Sequence, residues 1–118
     1  IQYLKENLVQ VCETFTREYG VICIAKDTRT MIIDNSETIY INLSGNNGMA
    51  TGGSGDILTG IIAGLCAQHM PLSEAARLGV YLHGCAGDTA AFNKGFHSMT
   101  ASDVLNAIPE LLKEITLD

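Results

Sequence analysis

The stretch GNNGMATGGSGD, at residues 45–56, decides the fold. Residues 44–55 contain five glycines, which let backbone N–H groups turn toward a ligand without obstruction by a Cβ atom. Apolar residues return at helical spacing over residues 56–68. The stretch therefore predicts a loop that leads directly into a helix. Unpaired N–H groups and the positive end of the helix dipole at such a junction suit a phosphate or a developing anion.

Two common phosphate-binding motifs are absent from this loop. No Lys-Ser or Lys-Thr pair follows the last glycine, and the spacing does not match G-x-G-x-x-G. A flexible glycine linker is the alternative, but the loop is embedded between a predicted strand and an apolar helix. Asp56 is the only formally charged residue between Glu37 and Glu74. One interpretation is that its negative charge complements the helix dipole. We predict instead that it accepts a proton from a hydroxyl while the loop binds the group that the hydroxyl attacks.

The flanking segments predict an α/β arrangement. Residues 2–19 have helical spacing and end at Gly20, whereas residues 21–25 form a short apolar run typical of a strand covered on both faces, as in a parallel sheet. Residues 30–34 and 38–43 alternate apolar with polar around a turn, which predicts a hairpin. Helices follow over residues 73–92, rich in Gly and Ala for close packing, and from Thr100, where Thr-Ala-Ser-Asp matches a capping box.

Composition limits the class of protein. The chain has 118 residues and 12.6 kDa, with 7 Lys+Arg against 13 Asp+Glu, so its net charge of −6 without a basic patch argues against nucleic-acid binding. Its apolar stretches are too interrupted to span a bilayer. None of the four cysteines forms a C-x-x-C pair or has a histidine at metal-ligand spacing. We interpret them as small buried hydrophobic residues in a reducing cytoplasm, with no metal site.

The chain begins with Ile1 rather than Met, and a strand with a hairpin is too little sheet for its helices. We therefore expect a piece of a longer polypeptide, with the missing strands N-terminal to Ile1. The isolated residues 1–118 are expected to self-associate, to aggregate or to stay bound to that segment.

Several segments together resemble one known family. GMATGGSGDILTG, at residues 48–60, closely resembles the signature of the ADP/ATP-dependent NAD(P)H-hydrate dehydratases, repair enzymes related to the ribokinase-like small-molecule kinases. Lys26-x-x-x-Thr30 resembles their nucleotide segment, residues 75–88 their small-residue helix and residues 101–103 the start of their terminal helix. The resemblance implies a three-layer α/β ribokinase-like sandwich. Residues 1–118 would be the C-terminal part of its single catalytic domain.

The resemblance also implies roles for individual residues. Asp56 would be the base on the substrate hydroxyl and would contact the substrate. The transferring phosphate would be held by the backbone N–H groups of Gly53, Ser54 and Gly55. The nucleotide would be lined by Lys26, Asp27, Thr28, Arg29 and Thr30, with Lys26 neutralising phosphate charge. The implied partners are ADP or ATP with Mg²⁺, the hydrate of NADH or NADPH as substrate, and further copies of the chain in a cytoplasmic homo-oligomer.

Two other residues are interpreted as structural, and two other functions remain open. His83 on its Gly/Ala-rich helix is expected to be a packed, hydrogen-bonded histidine, and Asp88 a buried acid bonded to a neighbouring turn. One alternative function is a kinase of the same superfamily that phosphorylates a vitamin precursor and releases a stable phosphoester. The other is a non-catalytic nucleotide-binding module.

Overall fold

The computed structural model describes residues 2–26, 29–36 and 38–116, which form four helices, three strands and one 3₁₀ turn. Their bounds are α1 Gln2–Tyr19, β1 Cys23–Lys26, β2 Thr30–Ile33, β3 Ile39–Ile41, the 3₁₀ turn Asn47–Met49, α2 Ser54–Ala67, α3 Leu72–Lys94 and α4 Ala101–Thr116. The predicted order of helix, strand, hairpin, glycine-rich loop and three helices is confirmed. None of these helices is long and apolar enough to cross a membrane.

The three strands form an antiparallel sheet in the order β1-β2-β3. Cys23 pairs with Ile33 across β1 and β2, and Met31 pairs with Ile41 across the predicted hairpin of β2 and β3. As predicted, β1 has helices on both faces: it contacts α1, and Ile24 packs against the cluster of Ile32, Leu58 and Val80. Its residues Cys23–Ala25 are half-buried, and within the described residues it pairs with β2 alone, in antiparallel orientation. The expected strand neighbour N-terminal to Ile1 stays a prediction.

The sheet separates two helical layers, because successive strand residues point to opposite faces. On one face, the hydroxyl of Thr16 in α1 donates a hydrogen bond to the carbonyl oxygen of Ile33, at 3.5 Å. On the other face, Ile32 packs with Leu58 of α2 and Val80 of α3 in one buried cluster. The three-layer α/β architecture is thereby confirmed.

Small residues let α3 (Leu72–Lys94) pack closely against its neighbours. A Cβ atom at Gly79 would lie 2.5 Å from Ile62 of α2, and one at Gly84 would lie 1.9 Å from the Ser44 hydroxyl. Glycine at these positions is what allows α2 and the loop after β3 to approach the helix. The predicted close packing of this helix is confirmed.

The last helix is capped and packed as its sequence indicates. The Thr100 N–H donates to the Asp103 carboxylate at 2.8 Å, and the Asp103 N–H donates to the Thr100 hydroxyl at 3.4 Å, which is the predicted capping box. Val104 of α4 is buried in a second cluster with Ala86 and Ala90 of α3. All four cysteines are free thiols, and they are half-buried rather than fully buried.

Candidate active site

The loop that leaves β3 is tied to the middle of α3. Ser44 packs against Gly84, and its hydroxyl donates a hydrogen bond to the Tyr81 carbonyl oxygen at 3.1 Å. The Asp88 carboxylate accepts two hydrogen bonds from the next residues, one from the Gly45 N–H and one from the Asn46 side-chain amide, both at 3.0 Å. The predicted bonding of Asp88 to a neighbouring turn is confirmed, although Asp88 is exposed rather than buried. α3 therefore fixes where the glycine-rich loop begins.

A 3₁₀ turn carries the loop over α3. The Asn46 side chain accepts a hydrogen bond from the Gly48 N–H at 2.9 Å and so caps the turn. The Met49 side chain lies directly over Gly87, where an added Cβ would be 2.2 Å from its sulfur. Met49 also lines the cavity described below. Contacts of the Met49 side chain with Gly87 thus hold the middle of the loop against α3.

Two backbone N–H groups at the start of α2 (Ser54–Ala67) have no acceptor in the part of the chain that the structure describes. Gly53 has a φ of 90°, a left-handed conformation that favours glycine, and lets the chain turn into the helix. The Ser54 N–H donates to the Thr51 carbonyl at 3.3 Å and the Ile57 N–H to the Gly53 carbonyl at 3.2 Å. Among the described residues, no acceptor is bonded to the N–H groups of Gly55 and Asp56.

Asp56 stands beside these donors. It is the third residue of α2 and its side chain is exposed, and a Cβ added at Gly55 would meet nothing within 4 Å. N–H groups in the first turn of a helix point out of its N-terminus, where the dipole favours negative charge. The arrangement offers an anion two donors and places a carboxylate next to them.

A cavity of about 630 Å³ lies between the end of β1, the loop after β3 and α3. Its polar lining comprises Lys26, Arg29, Thr30, Asn42, Ser44, Asn46, Asn47 and His83. Arg29 is held in place by a hydrogen bond from its guanidinium to the Leu43 carbonyl oxygen at 2.9 Å. None of the cavity-lining residues that the structure describes is a carboxylate. In a chain of net charge −6, this concentrates two cations in one cavity, which favours an anionic ligand.

His83 lies between the cavity and the start of α2. It is 5% exposed, and its Nε2 lies 3.1 Å from the hydroxyl oxygen of Ser54, which is 2% exposed. Burial lowers the pKa of His83, and the nearby positive charge of Lys26 lowers that pKa further, while the Ser54 backbone opposes both effects. Burial and the Lys26 charge therefore both favour the neutral form of the His83 imidazole. The expectation of a packed, hydrogen-bonded histidine is confirmed.

The predicted site residues fall into two groups in the structure. Lys26, Arg29 and Thr30 line the cavity, whereas Gly53, Ser54, Gly55 and Asp56 form the start of α2 and are not among its lining residues. Asp27 and Thr28 lie outside the described residues. Sequence reasoning missed Asn42, Ser44 and Asn46 as cavity residues. A signal was available, because these short polar side chains lie between the end of a strand and the second glycine of the loop.

Comparison with known proteins identifies the family. Residues 1–110 match the family model described as NAD(P)H-hydrate dehydratase. The chain is 44% identical over 112 residues to a bifunctional NAD(P)H-hydrate repair enzyme of Moorella thermoacetica, covering 95% of this chain and 21% of that enzyme. It is 39% identical over 99 residues to an ADP-dependent (S)-NAD(P)H-hydrate dehydratase of Neisseria meningitidis, covering 83% of this chain and 33% of that enzyme.

Solved structures agree with this assignment. An ADP/ATP-dependent NAD(P)H-hydrate dehydratase of Bacillus subtilis, co-crystallised with ATP and Mg²⁺, matches with a TM-score of 0.85 and 25% identity. That match covers 94% of this chain and 41% of the other. The chain thus spans about a fifth to two fifths of the length of these relatives. With the fold, the loop and the family model in agreement, the chain belongs to the NAD(P)H-hydrate dehydratase family.

Proposed function

We propose that this chain is part of an enzyme that uses ADP or ATP to dehydrate the hydrates of NADH and NADPH. One observation carries the proposal. In a chain of this family, an exposed Asp56 follows a glycine loop and stands beside two N–H groups that no described residue accepts from. A carboxylate next to anion-binding donors is what transfer of a phosphoryl group to a hydroxyl requires.

The proposed reaction has two steps. The Asp56 carboxylate takes the proton of the ring hydroxyl, and the hydroxyl oxygen forms a bond to the terminal phosphorus of the nucleotide. The bond from that phosphorus to the leaving oxygen breaks, so ADP yields AMP and ATP yields ADP. The N–H groups of Gly55 and Asp56, with Gly53 and Ser54 shaping the turn, donate to the transferring phosphoryl oxygens. The ring carbon–oxygen bond then breaks, phosphate departs with the electron pair, and a ring proton is lost as the double bond of the reduced nicotinamide forms.

The cavity suits the rest of the nucleotide. Lys26 and Arg29 supply positive charge for its phosphates, and Thr30 adds a hydroxyl. Asp27 and Thr28 enter the proposal through the family motif alone. Mg²⁺ commonly binds to phosphate oxygens with one or two carboxylates, and it neutralises phosphate charge during transfer. The described residues contain no group of three or more side chains fit to hold a metal. We therefore propose that Mg²⁺ arrives with the nucleotide.

The complete enzyme, in our proposal, includes a further N-terminal segment of the same domain. The chain matches only 21% of one relative and 33% of another, which agrees with that arrangement. Large apolar side chains remain exposed on α3, on α4 and in the turn between them, among them Phe92, Leu105 and Phe96. The added segment or a second copy in a homo-oligomer would cover them. Four free thiols agree with a reducing cytoplasm.

Asp56→Asn in the full-length protein tests the proposed base. We expect kcat to fall by about a hundredfold or more, because general bases contribute about 10²–10⁴ in rate. The dissociation constant for the nucleotide should change little, since Asn retains the size of the side chain. Glu74→Gln is the matched control, because Glu74 is likewise the third residue of its helix and exposed. Near-normal kcat in Asp56→Asn would exclude Asp56 as the base.

A further inference from the structure

The two groups of predicted ligand-binding residues are linked by one buried side chain. His83 lines the cavity that contains Lys26 and Arg29, and its Nε2 lies 3.1 Å from the hydroxyl of Ser54, the first residue of α2. Both side chains are almost fully buried. His83 thus connects the cavity with the first turn of α2.

We propose that His83 is a positioning residue that, through Ser54, holds the first turn of α2 in place relative to the cavity. This rests on the proposed function, in which the N–H groups of Gly55 and Asp56 bind the transferring phosphoryl group and the Asp56 carboxylate is the base. His83 acts on the reaction only through Ser54 and not by contact with the reacting atoms.

The local geometry makes this contact important. Gly53, with its left-handed backbone, lies directly before Ser54, and the hydrogen bond from the Ser54 N–H to Thr51 is long, at 3.3 Å. Backbone hydrogen bonds alone therefore fix the position of this turn only weakly. A neutral imidazole can donate or accept at Nε2, and a serine hydroxyl can do either, so the bond is satisfied in both tautomers. Displacing a reacting group by 1 Å can lower the rate about a hundredfold.

Variants of the full-length protein test the proposal. His83→Leu and Ser54→Ala should each lower kcat by about 10- to 100-fold at saturating nucleotide, and the double variant should be little worse than either one. His83→Gln should recover most of the activity, because a glutamine amide can reach the position of Nε2. Leu82→Ala is the control: Leu82 is 1% exposed and neighbours His83, so this variant should lose stability but keep its kcat.

Backbone hydrogen exchange gives a readout that does not depend on turnover. His83→Leu should speed exchange selectively at Ser54 and Ile57, whose N–H groups are hydrogen-bonded within this turn, whereas Leu82→Ala should not. Unchanged kcat and unchanged exchange in Ser54→Ala and His83→Leu would overturn the positioning role, as would a His83→Gln variant as impaired as His83→Leu. A wild-type protein without dehydratase activity would overturn the proposed function instead, and the exchange measurement would still decide whether His83 holds the turn.

Discussion

Replacing Gly84 with Ala should destabilise the protein, even though alanine is the better helix former. A Cβ at this position would lie 1.9 Å from the Ser44 hydroxyl oxygen, 2.7 Å from its Cβ and 2.8 Å from its carbonyl carbon. Backbone atoms cannot swing aside, so the loop after β3 has to move. Overpacking of this kind costs about 1–3 kcal/mol, and the contact with backbone places it at the upper end. Helix propensity returns about 1 kcal/mol, which leaves a net loss of about 2 kcal/mol.

Gly87→Ala is the matched comparison on the same helix. The three atoms nearest to its new Cβ would all belong to the Met49 side chain, at 2.2–2.6 Å. Methionine is flexible and can repack, so the helix-propensity gain offsets most of the cost and we expect a loss below about 1 kcal/mol. Urea unfolding of both variants and wild type measures the difference. A Gly84→Ala variant as stable as wild type, or no less stable than Gly87→Ala, would refute the close contact between the loop and α3.

Two further predictions concern charged groups. Lys26→Ala should raise the dissociation constant of the nucleotide about tenfold or more, because a charge-assisted hydrogen bond is lost. The control Lys94→Ala should leave that constant unchanged. If calorimetric titration gives the same constant for Lys26→Ala and wild type, Lys26 does not bind the nucleotide. Hydrogen bonds from the Ser36 and Ser73 side chains lower the pKa of Asp34, so its contribution to stability is present above about pH 4 and is lost as pH falls through the folded pKa. Between pH 6 and pH 3, the free energy of unfolding should therefore fall less in Asp34→Asn than in wild type. Urea unfolding at both pH values measures the two losses, and equal losses would contradict the prediction.

Local rules predicted most of the elements. The helical spacing before Gly20, the hairpin and the capping box at Thr100 all depend on neighbours in the sequence, and the structure has each of them. The apolar run at residues 21–25 predicted β1 and its cover by helices on both faces, but it did not predict the antiparallel pairing of β1 with β2. Pairing is set by the order of the sheet, which no residue of the run encodes.

The site was predictable in its parts but not in its assembly. Glycines and a lone carboxylate indicated the start of α2, and the family motif indicated Lys26. In the structure the two groups lie apart and are linked by the contact of His83 with Ser54. These two residues are 29 positions apart in the sequence, so the link depends on how α3 packs against α2. Likewise, the bond of Asp88 to Gly45 and Asn46 spans more than 40 residues and follows from tertiary packing alone.

The most direct test of the central claim is a product balance with the full-length protein, the hydrate of NADH, and ADP or ATP. The account predicts one free phosphate and one reduced nicotinamide, detected by its regained absorbance, for each nucleotide consumed. Accumulation of a stable phosphorylated product without regained absorbance would indicate a kinase. Nucleotide binding with no consumption would indicate a non-catalytic module, and either result would contradict the account.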